Sequence, residues 1–283
     1  MNRRQEIIAK ALAVPQMPMP VQKVMSILND PGTTMTQLAR LIEYEPGLTV
    51  NILRMANSAF FGGHGKVNTV KDAIMRLGMQ RVFQMVLASG VVPFAKYEIK
   101  GYGLPPGQLL EHSAAVAVAS ERLAVVLGIT APPHTFTSGL LVNIGKVVLG
   151  AFVEVDAEPI LEMAYTRNIP FEQAERAVLG IDHAEIGAML LDHWNIPEPI
   201  VLVVRHRLDP DGSPVRDMAL DLVHIGDVVA KMSGIGLGFD GMQYAPSQTV
   251  FSRLGLTAEH LERALEDAIE HFIEIRDILA EAG

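Results

Sequence analysis

The apolar residues of this chain recur in threes and fours, and no stretch keeps the strict alternation that a half-buried strand requires. Val21, Val24, Met25 and Leu28 make one such face, and Leu38, Leu41 and Ile42 make the next. Prolines stand where these stretches begin and glycines just beyond their ends, which is how helices are opened and closed. The spacing therefore predicts an all-α chain. With 283 residues, 49% of them hydrophobic and 19% charged, the chain is long and apolar enough to bury a sizeable core without disulfides or metals as staples.

A first helix is expected over 3–13, stopping at Pro15-Gln16-Met17-Pro18-Met19-Pro20, where each residue before a proline is pushed into extended geometry. Asp30-Pro31-Gly32 ends the second, Thr33 or Thr34 offers the N-cap of a third, and Pro46 opens a fourth that reaches Ala56. After Gly62-Gly63-His64-Gly65, helices are predicted over 69–77 and over 80–92, the latter ending before Pro93. Gly101-Tyr102-Gly103-Leu104-Pro105-Pro106-Gly107 is rich in breakers and is read as the boundary between two helical lobes. Beyond it, helices are expected near 108–127, 135–152, 158–167, 171–178, 183–193, 198–207, 215–232 and 257–281, the last long and amphipathic. The expected organisation is an N-terminal lobe over 1–100, a second lobe over 101–210, and a C-terminal extension over 211–283 that completes the second lobe. No repeat of fixed period is present.

Charge and composition exclude several classes. Twenty-three basic against thirty-two acidic residues leave a net charge of -9, so no general basic field gathers nucleic acid or anionic lipid. The absence of cysteine removes thiolate catalysis, cysteine zinc sites and iron–sulfur clusters together. Glu6 and Lys10 interrupt the first apolar stretch where a signal peptide would be unbroken, and Glu121 and Arg122 interrupt 114–129 before it reaches the ~20 apolar residues of a spanning helix. A cytoplasmic protein without membrane contact is expected.

Two glycine-rich stretches fail as phosphate cradles. Gly62-Gly63-His64-Gly65-Lys66-Val67 lacks the P-loop spacing, and Gly234-Ile235-Gly236-Leu237-Gly238 follows a helix where a dinucleotide turn would follow a strand. Residues 36–56 read like a helix–turn–helix, but the second helix would offer one cation, Arg54, behind Glu43 and Glu45, so a packed helical hairpin is preferred. Met17, Met19, Met25, Met55, Met75, Met79 and Met85 are read as gap-filling core residues more than as a binding surface.

Candidate chemistry is confined to the second lobe. His112, His183, His193, His206, His224 and Asp227 fall on successive predicted helices, as the ligands of a metal site in a helical bundle do, and His224 and Asp227 share a face. Each histidine taken alone is equally a hydrogen-bonded structural residue.

From Val14 to Arg207 the chain resembles the HDOD domain, the regulatory branch of the HD phosphohydrolase superfamily. The matching stretches are MPMPVQKVMSILNDP at 17–31, QLARLIEYEPGLTVNILRMANSAFFG at 37–62 and TVKDAIMRLGMQRV at 69–82, including Asn57-Ser58 and the Ala73-Ile74 and Leu77-Gly78 steps. In the second lobe they are His112-Ser113, GLLVNIGKVVL at 139–149, LGIDHAEIGAMLLDHWNIPEPIV at 179–201, and Arg205-His206. The resemblance implies a second lobe that is an HD-domain-like helical bundle. It also implies that the superfamily's metal-binding His-Asp dyad falls on Val142 and Asn143, with His112 and Asp227 as the outer two positions of the four. Valine has no donor atom and asparagine offers a neutral carbonyl for a carboxylate, so the site is degenerate and two strong ligands fall short of the three that catalytic zinc sites keep.

By the same resemblance Lys146, His183 and His206 fall where metal-dependent relatives contact phosphate or a second metal. Together with Arg205 they are a candidate anion or ligand pocket. The plain alternative sends Lys146 to solvent, makes Asp182 a helix cap beside His183, and leaves His206 at the C-terminal dipole of its helix. No catalytic residue, metal or cofactor is expected. The chain contains no receiver, kinase or cyclase segment, and a stand-alone HDOD protein is expected. The resemblance implies a non-catalytic bacterial signalling module whose partners are other signalling proteins, and the lost dyad beside an otherwise intact domain leads us to expect the contact at the groove between lobes or on the apolar face of the helix at 257–281. Two alternatives stand beside it. One is a metal-dependent phosphohydrolase with a remodelled site built from His112, His183, His206, His224 and Asp227. The other is a nucleotide second messenger bound through Lys146 and Arg205.

Overall fold

Helix starts in this chain are written in side chains that accept the free backbone N–H groups of a first turn. Asn2 and Thr34 each form a reciprocal capping box, Asn2 Oδ1 accepting from Gln5 N at 2.9 Å and Thr34 Oγ1 from Gln37 N at 3.3 Å. Of the two threonines expected for that role, Thr34 is the cap. A computed structural model of the protein describes residues 2–28, 32–57, 65–241, 244 and 246–280. The expected turn at 30–31 and the glycine loop at 62–64 lie outside the described residues.

The described helices are α1 (Arg3–Leu12), α2 (Met19–Leu28), α3 (Met35–Glu43), α4 (Pro46–Ala56), α5 (Val70–Ala95), α6 (Gln108–Val126), α7 (Thr135–Leu141) and α8 (Gly145–Val155). They continue with α9 (Ala157–Arg167), α10 (Phe171–Leu179), α11 (His183–His193), α12 (Glu198–His206), α13 (Met218–Ser233), α14 (Gln248–Leu254) and α15 (Ala258–Ala280). Among the described residues there is no strand, only an isolated bridge between Ile99 and Leu104. The all-α reading holds.

Several elements depart from expectation in instructive ways. Helix α5 is broken at Gly78, whose φ of 79° is left-handed, between the two segments expected there, but it runs on through Pro93 to Ala95. The segment expected as one helix over 135–152 is two, because Ile144 N, Lys146 N and Val147 N bond three residues back, to Leu141, Asn143 and Ile144. That tight turn lies on Val142 and Asn143. The apolar run Thr135–Val155 is long enough to cross a membrane by composition, yet 89% of its most apolar window is buried inside the fold. Helix α14 and the short 3₁₀ turns at Lys100–Tyr102, Pro210–Gly212 and Phe239–Gly241 have no counterpart in the periodicity.

The chain divides into two compact units, one from residues 1–15 and 94–269 and the other from 16–93 and 270–283. Helix α1 therefore does not belong with the lobe in which 1–100 was expected. Its stripe of Ile7 and Ala11 is fully buried, Arg3 pairs with Asp156, and Arg4 Nη2 meets Glu185 Oε1 at 2.6 Å. The proline-broken loop after it uncouples α1 from α2, which frees it to dock elsewhere. Within the smaller unit, Leu38, Ala39, Ile42, Leu48, Ile52, Met55 and Ala56 are buried, as a packed α3–α4 hairpin requires. Met17, Met55 and Met85 are core residues there, whereas Met19 and Met75 are exposed. The last helix buries Ala264, Ala268 and Phe272 at spacings of four, while Ile269 and Ile273 on it are exposed.

In the larger unit, glycines set how closely helices cross, and those crossings place the polar centre. A Cβ on Gly145 would lie 1.9 Å from His183 O, so α8 and α11 meet backbone to backbone opposite Gly187. A Cβ on Gly226 would lie 2.1 Å from Ser120 Oγ, which is how α13 seats on α6.

Candidate functional site

The redirected turn between α7 and α8 leaves a carbonyl unused. Because Lys146 N–H bonds to Asn143 O, the Val142 carbonyl is free to accept from a side chain, and Arg207 Nε donates to it at 3.1 Å. Arg207 stands directly after α12, and its side chain is only 2% exposed. Its other two nitrogens are also engaged, Nη1 donating to Asp227 Oδ2 at 3.2 Å and Nη2 to Asn143 Oδ1 at 3.1 Å. The planar fork of a guanidinium suits three such acceptors in a way a lysine could not.

Asp227, on α13 next to the Gly226 crossing, is the anion of this group. Lys231 Nζ, one turn on, donates to its Oδ2 at 2.9 Å, and His112 Nε2 lies 3.2 Å from its Oδ1. Burial alone would raise the carboxyl, but Lys231, the His112 hydrogen bond and Arg207 hold it well below its ordinary value. His112 Nδ1 meets Ile235 O at 2.7 Å. His224 steadies Arg207 from behind, its Nδ1 donating to Arg207 O at 2.7 Å while its Nε2 accepts from Ser247 N at 2.9 Å. Burial pushes His224 below the usual imidazole range, in keeping with that neutral tautomer.

A second polar group adjoins it on α8, α10 and α11. Lys146 Nζ donates to Asp240 Oδ2 at 2.7 Å, with the two side chains 4% and 9% exposed. Asp240 is held well below its ordinary value, the Lys146 ammonium outweighing its burial. Its other oxygen, Oδ1, is buried with no hydrogen-bond partner among the described residues. Glu175 accepts from Tyr102 Oη and from His183 N, and its Oε2 lies 2.8 Å from His183 Nδ1. Burial pushes the Glu175 carboxyl up to about 8 and His183 well below the imidazole range. Neutral forms of both are favoured. Glu172, beside them on α10, is pushed up by burial to about 7.

The residues expected at the degenerate site, His112, Val142, Asn143 and Asp227, are thus brought together, with Arg207 among them. Lys146 and His183 are buried close by, each with a carboxyl partner, and the alternative that sent Lys146 to solvent does not hold. Asp182 does cap α11, accepting from Glu185 N at 2.7 Å. Arg205 and His206 are half-buried at the end of α12 and make none of the hydrogen bonds just described, so the expected four-residue pocket is not formed as a unit. Arg207, Lys231, Glu175, Tyr102 and Asp240 escaped the sequence reading. Arg207 directly follows the matched Arg205-His206 pair, but nothing in its spacing distinguishes a buried cation from a solvated one.

The donor set does not fit a divalent metal. Only His112 and Asp227 are strong ligands, and the lone pairs that Asp227, Asn143 and the Val142 carbonyl would give a cation already accept hydrogen from Arg207. Among the described residues no group of three or more His, Asp or Glu is placed to hold one. His183 and His224 are committed to Glu175 and to backbone groups, so the remodelled five-residue set is not assembled either.

Comparison with known proteins agrees with this architecture. A solved HDOD domain protein of unknown function from Geobacter sulfurreducens is 22% identical with a TM-score of 0.69, covering 99% of this chain and 97% of its own. A candidate phosphohydrolase from Shewanella amazonensis gives 24% and 0.70 over 96% and 97%. A candidate signal transduction protein from Marinobacter aquaeolei gives 20% and 0.72 over 98% and 65%. At these identities the likeness shows the fold alone. An uncharacterized protein of Treponema pallidum is 27% identical over 196 residues, which are 68% of this chain but 37% of that protein, so the chain spans little more than a third of its relative. A model of the HDOD domain matches residues 14–210. With the HD-like bundle, the turn at Val142-Asn143 and that match over more than half of its length, the chain belongs to the HDOD domain family.

Proposed function

We propose that this chain is a non-catalytic HDOD-type regulatory module that passes on a signal by binding, with other signalling proteins as its partners. The observation that carries the reading is the Arg207 guanidinium, seated on the Val142 carbonyl, Asn143 and Asp227. Metal-assisted hydrolysis needs a cation that ligates a water, lowers its pKa and polarises a phosphoryl oxygen. A guanidinium supplies the charge and holds its neighbours at fixed distances, but it has no coordination position for water or substrate. The centre keeps its architecture without the machinery for hydrolysis.

Metal content tests this directly. Protein purified without chelator from cells supplied with iron, manganese and zinc is expected to carry far less than one metal per chain and to leave a generic phosphodiester intact. About one tightly held metal per chain, lost on His112→Ala together with a hydrolytic activity, would overturn the reading in favour of a remodelled phosphohydrolase. A triple variant, Arg207→Ala with Val142→His and Asn143→Asp, is expected to regain metal, since it removes the competing donor and restores two ligands. A pull-down that recovers no specific partner counts against the binding role.

A further inference from the structure

Beyond α13 the chain runs through Gly234-Ile235-Gly236-Leu237-Gly238-Phe239-Asp240-Gly241, a segment whose lack of dinucleotide context left it without a role. It lies across the polar centre. A Cβ on Gly236 would meet Gln108 O at 2.5 Å and the His112 Cβ at 2.7 Å, and one on Gly238 would meet Tyr102 O at 2.3 Å, so only glycine allows the backbone so close to α6 and the Lys100–Tyr102 turn. Two polar contacts fasten it to the centre, Ile235 O with His112 Nδ1 and Asp240 with Lys146. Its apolar side chains fasten it only in part, since the Phe239 ring rests against Gly103 but remains 46% exposed and Leu237 is 41% exposed. Gly234 and Gly236, at φ 76° and 60°, give it two left-handed pivots.

We propose that this segment is a removable internal stopper, in which the Asp240 carboxylate occupies the Lys146 ammonium in place of a small oxyanion ligand. The proposal goes beyond the protein-binding reading above: it takes the Lys146 group as a site for a small oxyanion and says how access to it is controlled. Three observations carry it. The carboxylate fits imperfectly, with Oδ1 buried and without a partner among the described residues, so within them the closed state holds an acceptor that opening returns to water. The charge left behind favours an anion: without Asp240, Lys146 loses its carboxylate partner, while Arg207 and Lys231 share Asp227, Asp182 is paired with Arg176, and burial raises the neighbouring Glu175 carboxyl to about 8. The partial apolar anchorage makes the segment the part of this centre that can lift without unpacking a helix.

The test compares wild type with Asp240→Asn, which retains a carbonyl for Lys146 but removes the competing charge. Inorganic phosphate and acetate are titrated at ionic strength matched with chloride, following thermal unfolding, to separate tetrahedral from planar oxyanions. The variant is expected to respond to one of them at concentrations about ten-fold or more below those that move wild type. A folded variant that responds no better than wild type overturns the proposal, whatever the metal analysis finds. Hydrogen exchange on wild type decides the matter independently should the variant fail to fold. The oxyanion should speed exchange of the amides of 235–241 by about ten-fold while α13 stays protected, and unchanged exchange across that segment overturns the proposal.

Discussion

Around Arg207 three guanidinium nitrogens and both oxygens of Asp227 meet partners, whereas around Lys146 the carboxylate of Asp240 uses one oxygen and its other meets no partner among the described residues. Both groups are buried, both pair cations with carboxylates, and both lie in the same helical bundle. Their elements differ. Arg207, Asp227, His112 and Asn143 project from α6, α13 and the tight turns that end α12 and join α7 to α8, all fixed by helix packing. Asp240 is carried on a glycine-rich segment. A buried charge network completed from packed helices becomes part of the core, and one completed from a loop remains open to exchange.

The comparison breaks most readily at Asp227. Removing it as Asp227→Ala leaves Arg207 and Lys231 buried without their counterion, and a loss of about 3–5 kcal/mol is expected in urea unfolding. A loss below about 1 kcal/mol would mean that the Arg207 group is solvated and that the contrast with Lys146 is not real.

Next in size is a pH effect in the second group. Glu175 binds its proton more tightly folded, at about 8, than unfolded, so it contributes stability at low pH that is lost as pH rises through the folded value. Glu175→Gln, which imitates the protonated carboxyl, should remove up to about 1.4 kcal/mol per pH unit from the slope between roughly pH 5 and 8. Unfolding curves of the two proteins across that window give the difference. His183 and His224 act in the opposite sense, since burial depresses both and their contribution falls as pH drops below the imidazole range, so only the difference between wild type and variant isolates Glu175. Identical slopes would show that Glu175 is ionised and that the Lys146 group is as well compensated as its neighbour.

The smallest expected change sharpens the Arg207 side. Lys231 is one of three donors to Asp227, so Lys231→Met should cost about 1–2 kcal/mol, well short of the loss at Asp227 itself. Equal losses would mean that Lys231, and not Arg207, is the main counterion.

Much of the architecture was legible in the residues alone. Apolar spacing, capping residues and breakers are local signals, and they placed α6, α9, α10, α11 and α13 to within a few residues, together with the cap at Thr34, whereas the convergence of His112 with Asp227 was implied by the family resemblance and by no local pattern. Tertiary structure decided what local signals do not encode. Whether α1 stays with its neighbours in sequence depends on which surface buries Ile7 and Ala11. Whether 135–155 is one helix or two depends on the turn at Val142-Asn143 that α11 and Arg207 support. Above all, a charged residue looks the same in sequence whether solvated or buried. Arg207 and Asp240 became visible only when residues 64 and 94 positions distant, Asn143 and Lys146, were brought to within about 3 Å of them. Such pairings are fixed by helix crossings, where a missing Cβ at Gly145 or Gly226 sets a separation that no pattern of hydrophobicity records.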